Sequence, residues 1–187
     1  TPEDEFDAAV ASWRAELPDM NRAERLTGIA RIVGLVGDGH TAVLLHDLPH
    51  GDQFMGPGFR LMPIRFEQFD DGLYIVGATP EHARLVGGRV ETIGGVPAEE
   101  AFARILELMP RDSIGISTEL APETLMLAEI AAAVGLSDTP EHFDISVSIE
   151  GETRDARIAP LPRGWHYNWM QDMDTGPTGP DGPSDWV

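Results

Sequence analysis

Phe143-Asp144-Ile145-Ser146-Val147-Ser148-Ile149-Glu150 alternates apolar and polar residues along its whole length. Successive side chains of a strand point to opposite faces, so a period of two predicts a strand with one face buried and the other in water. Gly151 turns the chain, and Thr153 to Ala159 supplies a partner strand. A half-polar hairpin of this kind belongs to an antiparallel sheet, which places the fold among those built on one.

Upstream, the pattern changes to helix. Pro122 to Val134 is apolar nearly all round, with Glu129 the main exception and Gly135 suited to the C-terminal cap, which predicts a helix buried on several sides. Pro97 opens another helix, with Ala98, Phe102, Ile105 and Met109 on one face. Before it, Gly87-Gly88 and Gly94-Gly95 bracket a strand, Arg89 to Ile93, and Pro80 to Val86 reads as a short helix. Phe59 to Phe66 and Leu73 to Ala78 are strand-like and flank the turn Asp70-Asp71-Gly72.

The N-terminal part has a helical period. Phe6, Val10, Trp13 and Leu17 recur on one face behind acidic residues that complement a helix N-terminus, and Pro18 ends the run. Asn21 with Glu24 has the spacing of a capping box, and Leu26, Ile29, Ala30 and Val33 line a second helix up to about Val36. Gly37-Asp38-Gly39-His40-Thr41 then makes a tight exposed turn, and Ala42-Val43-Leu44-Leu45 reads as a strand. The expected organisation is α+β: a helical hairpin cap over 1–46, a β-rich domain over 47–161 with a helical insertion at about 110–141, and a linker or docking arm over 162–187. The loop 47–58, with two Pro and three Gly, marks the boundary. The arm carries Trp165, Tyr167, Trp169 and Trp186 with no amphipathic period.

Composition excludes several functions. All 13 basic residues are Arg against 32 Asp and Glu, a formal charge of -19, and such a surface repels nucleic acid and anionic membranes. No stretch approaches the roughly 20 apolar residues that a membrane span needs. Without cysteine there is no disulfide, iron–sulfur cluster or thiolate zinc site. Without lysine there is no Schiff base, Walker phosphate lysine or Ser-Lys dyad. No cofactor is expected.

Two segments carry a family resemblance. Leu35-Val36-Gly37-Asp38-Gly39-His40-Thr41, at the end of the helical hairpin, resembles the GDGHT signature of tail-specific (C-terminal processing) and tricorn-core-like serine peptidases. Leu73-Tyr74-Ile75-Val76, Pro80-Glu81-His82-Ala83 and Val86 through Pro97 are similar to the PDZ-like core that follows it in that family. The resemblance covers roughly residues 20 to 160. It implies a helical cap, then a PDZ-like small β-barrel or sandwich with two helices, then a catalytic core carrying the nucleophilic serine. None of the seven serines here lies in a Gly-rich nucleophile turn, so the chain itself reads as non-catalytic.

In the tricorn-like branch a histidine at the end of the cap serves as general base, and His40 matches it. An imidazole with a pKa near 6.5 can take a serine proton at neutral pH once a third group orients it. The plainer alternative is that Asp38 and His40 only bond the local backbone of a turn. The PDZ-like reading makes Leu73, Tyr74, Ile75 and Val76 a strand beside which a peptide adds, with Phe102 and Ile105 on the helix that chooses its side chain. The implied partners are a peptide or unfolded protein and the catalytic core of the same polypeptide, in an extracytoplasmic setting.

Two other functions fit some residues. Asp38, His40, His46, Asp47, His50 and Asp52 crowd together and could hold a hydrolytic metal, although His40 and His46 lack the helical spacing of a zincin motif. A stand-alone PDZ-like interaction module is the third reading. His82 and His142 each follow a Pro-Glu pair and are expected to be solvated, and Arg89 is expected to be structural.

Overall fold

The computed structural model describes residues 2–45, 58–110, 114–163, 166–167, 177–179 and 182–183. It is a mixed helix and sheet structure with an open antiparallel sheet.

Helix α1 spans Glu3–Glu16 and α2 spans Arg22–Gly34. Asn21 and Glu24 form the expected capping box: the Asn21 carboxamide oxygen accepts from the Glu24 N–H at 3.1 Å, and the Glu24 carboxylate accepts from the Asn21 N–H at 2.6 Å. The buried face of α2 is rotated from the expected one. It consists of Ala23, Thr27, Ala30 and Gly34, while Leu26, Ile29 and Val33 are half-buried. Small residues win that face because they let α2 approach another helix closely. Gly28 does the same towards α1: a Cβ there would lie 2.4 Å from the Trp13 ring.

The sheet runs β1 (Ile64–Phe69), β2 (Gly72–Ala78), β3 (Arg89–Ile93), β5 (Phe143–Ile149) and β6 (Glu152–Ile158) in that spatial order, and the short β4 (Val96–Pro97) pairs with β3. The alternation in 143–150 is read out in full. β5 and β6 pair over seven positions from Phe143↔Ile158 to Ile149↔Glu152, with Phe143, Ile145 and Val147 buried. The strand expected over Phe59–Phe66 begins only at Ile64, because the residues before it bond to other partners, as described below. A 3-10 helix over Pro80–Leu85 joins β2 towards β3.

Helix α3 (Ala98–Leu106) lays Ala98, Ala101, Phe102 and Ile105 on the inner face of the sheet. The turn before it needs glycine at Gly94, whose φ is +58° and whose missing Cβ would fall 1.8 Å from the Leu136 carbonyl oxygen. No L side chain fits there without moving backbone.

The single helix expected from Pro122 to Val134 is two. α4 spans Ile114–Leu125, with Pro122 in its interior, and α5 spans Ala128–Ala133. Between them the backbone leaves the helix so that Leu127 can bridge Leu61 in antiparallel fashion. The Met62 N–H donates to the Met126 oxygen at 2.8 Å, and the Ala128 N–H donates to the Arg60 oxygen at 2.9 Å. One residue on, the Pro63 oxygen accepts from Thr79 at 3.0 Å. Consecutive strand residues aim their main-chain groups at opposite edges. Met126 to Ala128 therefore bind the edge of the lead-in to β1 that β2 leaves open.

α2 packs on α5, and Ala23 and Ala30 belong to the same buried cluster as the sheet and α3. Arg31 also reaches Glu107, just past α3, at 3.3 Å. The four residues Ala42 to Leu45, expected as a strand, pair with no strand. The Leu45 N–H closes a tight turn onto the Val43 oxygen at 2.9 Å, Leu45 is fully buried, and Leu44 is exposed. Here a single apolar side chain plugs the core, and sheet pairing is not needed to bury it. Within the stretch expected to be a linker or docking arm, the described residues form short strands β7 (His166–Tyr167), β8 (Pro177–Gly179) and β9 (Gly182–Pro183) in a second small sheet.

Candidate functional site

The end of the helical hairpin presents His40 to solvent. Its side chain is 100% exposed. Asp38 organises the turn: its carboxylate accepts from the Thr41 hydroxyl and, at 3.4 Å, from the His40 N–H. Those two donors, with a smaller contribution from the imidazole, hold the Asp38 carboxyl below its ordinary range. The His40 Nδ1 stands 4.0 Å from an Asp38 oxygen, so Asp38 steers the ring without a direct hydrogen bond. Chemically, this is an imidazole on a braced turn whose nitrogens make no hydrogen bond among the described residues.

The other members of the possible metal cluster, His46, Asp47, His50 and Asp52, lie outside the described residues. Among the described residues no group of three metal-ligating side chains occurs.

The residues expected to receive a peptide divide by face. Leu73 and Ile75 point inward and are buried, as are Phe102 and Ile105 of α3, so all four build the core. Tyr74 and Val76 lie on the outer face, where Tyr74 meets the Phe69 ring edge-on at 5.5 Å and donates its hydroxyl to Asp71 at 2.8 Å. Around Tyr74 and Ile75 the edge of β2 to which a peptide strand was expected to add is already paired. β2 is paired with β1 along its length, and its other edge is taken by Tyr74↔Arg89, by the Ile75 N–H to the Gly88 oxygen and by the Gly87 N–H to the Ile75 oxygen.

Two openings adjoin β2: one of about 520 Å³ lined by Phe69, Tyr74, Ile75, Val76 and Val86, and a groove of about 470 Å³ between the β1–β2 turn and α3. The groove is the more polar of the two. Its apolar wall includes Leu73, Val90, Phe102 and Leu106, and Asp70, Asp71 and Glu99 lie along it. Arg89 is structural, as expected: it lies over Gly72, its Nε donates to the Asp71 carbonyl at 3.1 Å, and its Nη1 is 3.6 Å from Glu91.

Sequence reasoning did not single out two polar clusters. Glu129 sits at the centre of the first. It accepts from the Arg60 N–H and Nε, and from Arg163 at 3.1 Å, while Arg60 grips Glu141 with both terminal nitrogens at 2.8 and 3.0 Å. The lone carboxylate in an apolar helix was the available signal. The second is a shallow cleft on the outer face of β3, β5 and β6, where Asp144 and Arg157, directly opposed in the register, form a two-pronged pair at 2.7 and 2.8 Å. That pair holds the Asp144 carboxyl below its ordinary range. His142 is half-buried on the rim of this cleft. His82, expected in solvent, is buried against the sheet with 8% exposure. The 3-10 turn that begins at Pro80 points it inward.

No family model matches the chain, and neither a curated protein nor a solved structure matches it. Among the described residues no helix is long and apolar enough to cross a membrane.

Proposed function

We propose that this chain is the non-catalytic N-terminal region of a serine peptidase of the tail-specific or tricorn-core-like kind. In this reading the helical hairpin positions His40 as general base, the sheet with α3 is a PDZ-like domain that receives peptide, and a core elsewhere in the same polypeptide supplies the nucleophilic serine. The observation that carries it is the fully exposed His40 imidazole on a turn braced by Asp38 and Thr41. A base that must meet a serine from another domain has to be presented in this way, with its ring uncovered until that domain closes over it. The order of hairpin, 3-10 turn, strand, glycine turn and helix over 64–106 supports the PDZ-like assignment. In this reading the groove beside α3 receives the peptide, a placement supported by the pairing of β2 on both edges around Tyr74 and Ile75.

Treatment of the 187-residue chain with a serine-directed phosphonate tests the division of labour. No serine is expected to react, whereas the polypeptide carrying the core is expected to label at one serine outside this region. Stoichiometric labelling of Ser12, Ser117, Ser137 or any other serine of this chain refutes the proposal.

A further inference from the structure

We infer that the groove between the β1–β2 turn and α3 selects a peptide with a basic side chain, seating an arginine or lysine stem on the apolar wall and its cationic head beside Asp70 and Glu99. The inference rests on the peptide-receiving reading above and gives it a substrate class.

Three features of the groove lead to this class. The first is shape and polarity together. About 470 Å³ is the scale of a small binding pocket, and here it combines an apolar lining, to which Leu73, Val90 and Phe102 show only the edges of nearly buried side chains and Leu106 a half-buried one, with the carboxylates of Asp70, Asp71 and Glu99. A long basic side chain has the complementary layout, an apolar stem ending in a charge. A leucine or phenylalanine would cover the wall but strip water from carboxylates and give them no partner.

The second is the state of the charges. Among the described lining residues Arg89 is the one cation, and it is committed to the Asp71 carbonyl and to Glu91. Asp71 has the Tyr74 hydroxyl. Asp70 and Glu99 make no hydrogen bond or ion pair among the described residues, so the groove carries net negative charge that its own side chains do not neutralise.

The third is the background field. A chain of formal charge -19 attracts basic segments at long range and disfavours acidic ones. With both edges of β2 paired around Tyr74 and Ile75, side-chain reading in the groove supplies the discrimination.

Calorimetric titration of the chain with two blocked, extended nonapeptides tests the inference. Both alternate valine and serine, and they differ only in a central arginine or norleucine. The arginine peptide is expected to bind about fivefold more tightly, the order of one to two exposed ion pairs. That preference is expected to vanish in the double variant Asp70→Asn, Glu99→Gln, and in about 1 M salt, where screening acts over about 3 Å. Both positions are exposed, and a circular dichroism spectrum matching the parent confirms that the variant folds. Equal affinity for the two peptides, preference for norleucine, or an arginine preference that survives the double substitution overturns the basic-side-chain inference and leaves peptide reception standing. Failure of both peptides to bind at millimolar concentration overturns peptide reception itself, and the inference with it.

Discussion

Glu129 accepts two hydrogen bonds from Arg60, one from the backbone N–H at 2.8 Å and one from the guanidinium Nε at 3.0 Å, and thereby ties α5 to the lead-in of β1. The pair is well covered, with side chains 10% and 17% exposed. Removing one partner of a covered pair leaves the other desolvated and uncompensated, so Glu129→Ala is expected to cost about 2–3 kcal/mol, below the full range because Arg60 keeps Glu141. Glu141 is itself 66% exposed, so solvent screens its pair with Arg60 and Glu141→Ala is expected to cost clearly less than Glu129→Ala. Urea denaturation of both variants checks the ranking. Equal losses would mean that burial does not set the value of these contacts.

Thr124 offers a test with the opposite sign. It is fully buried in α4, and its hydroxyl has no hydrogen-bond partner. Thr124→Val keeps the shape and removes the orphaned group, so it is expected to stabilise the fold by about 1 kcal/mol in thermal or urea unfolding. A destabilised valine variant would show that the hydroxyl is satisfied in solution.

His82 makes stability depend on pH. Burial pushes its imidazole below the ordinary value, against a pull upward from Glu81, while Arg84 adds to the depression. The unfolded chain therefore binds a proton more readily than the native one below about pH 6.5. Stability from this group is complete above that pH and is lost as pH falls through it toward the depressed native value. Unfolding at about pH 7.5 and about pH 5.5 is expected to show this loss in the parent and a flatter dependence in His82→Gln. Parallel curves for the two proteins would remove His82 as the source. Glu141 and Asp144, held low by Arg60 and Arg157, act in a separate window near the carboxylate range, where acid removes their contribution.

His40→Ala separates a catalytic role from a structural one. The side chain is fully exposed and, among the described residues, approaches Asp38 of its own turn, so the substitution is expected to leave stability unchanged. On the proposed peptidase reading, the same change in a polypeptide that carries a serine core is expected to abolish peptide hydrolysis. Unchanged turnover there removes His40 from the reaction.

The parts of the fold legible in the sequence are those governed by local periodicity. The β5–β6 hairpin followed from strict alternation, the start of α2 from Asn21 and Glu24, and the inner face of α3 from Ala98, Phe102 and Ile105. The parts that were not legible depend on partners distant in sequence. Nothing near Leu127 announces that it will leave a helix, because the reason is Leu61. Leu45 looks like a strand residue because a buried plug and a buried strand have the same hydropathy. Leu73, Ile75, Phe102 and Ile105 were apolar residues near a plausible groove. Register and packing show that Ile75 and Ile105 face the core, whereas Leu73 and Phe102 are buried and also line the groove, beside Asp70, Asp71 and Glu99. The His40 turn was visible in full, since its geometry is set by residues within three positions of one another.

The contact between Leu61 and Leu127 also affects how the molecule behaves in company. A bare strand margin is a template on which a second copy can polymerise. Here Met126 and Ala128 already occupy the main-chain groups of Met62 and Arg60 on that margin. At the far end of the sheet, β6 displays Glu152, Arg154, Asp155 and Arg157 to any strand that approaches. Over Arg60 to Met62 that template is closed, and loosening the Met126–Ala128 segment is the change that would lengthen the margin open to a second copy.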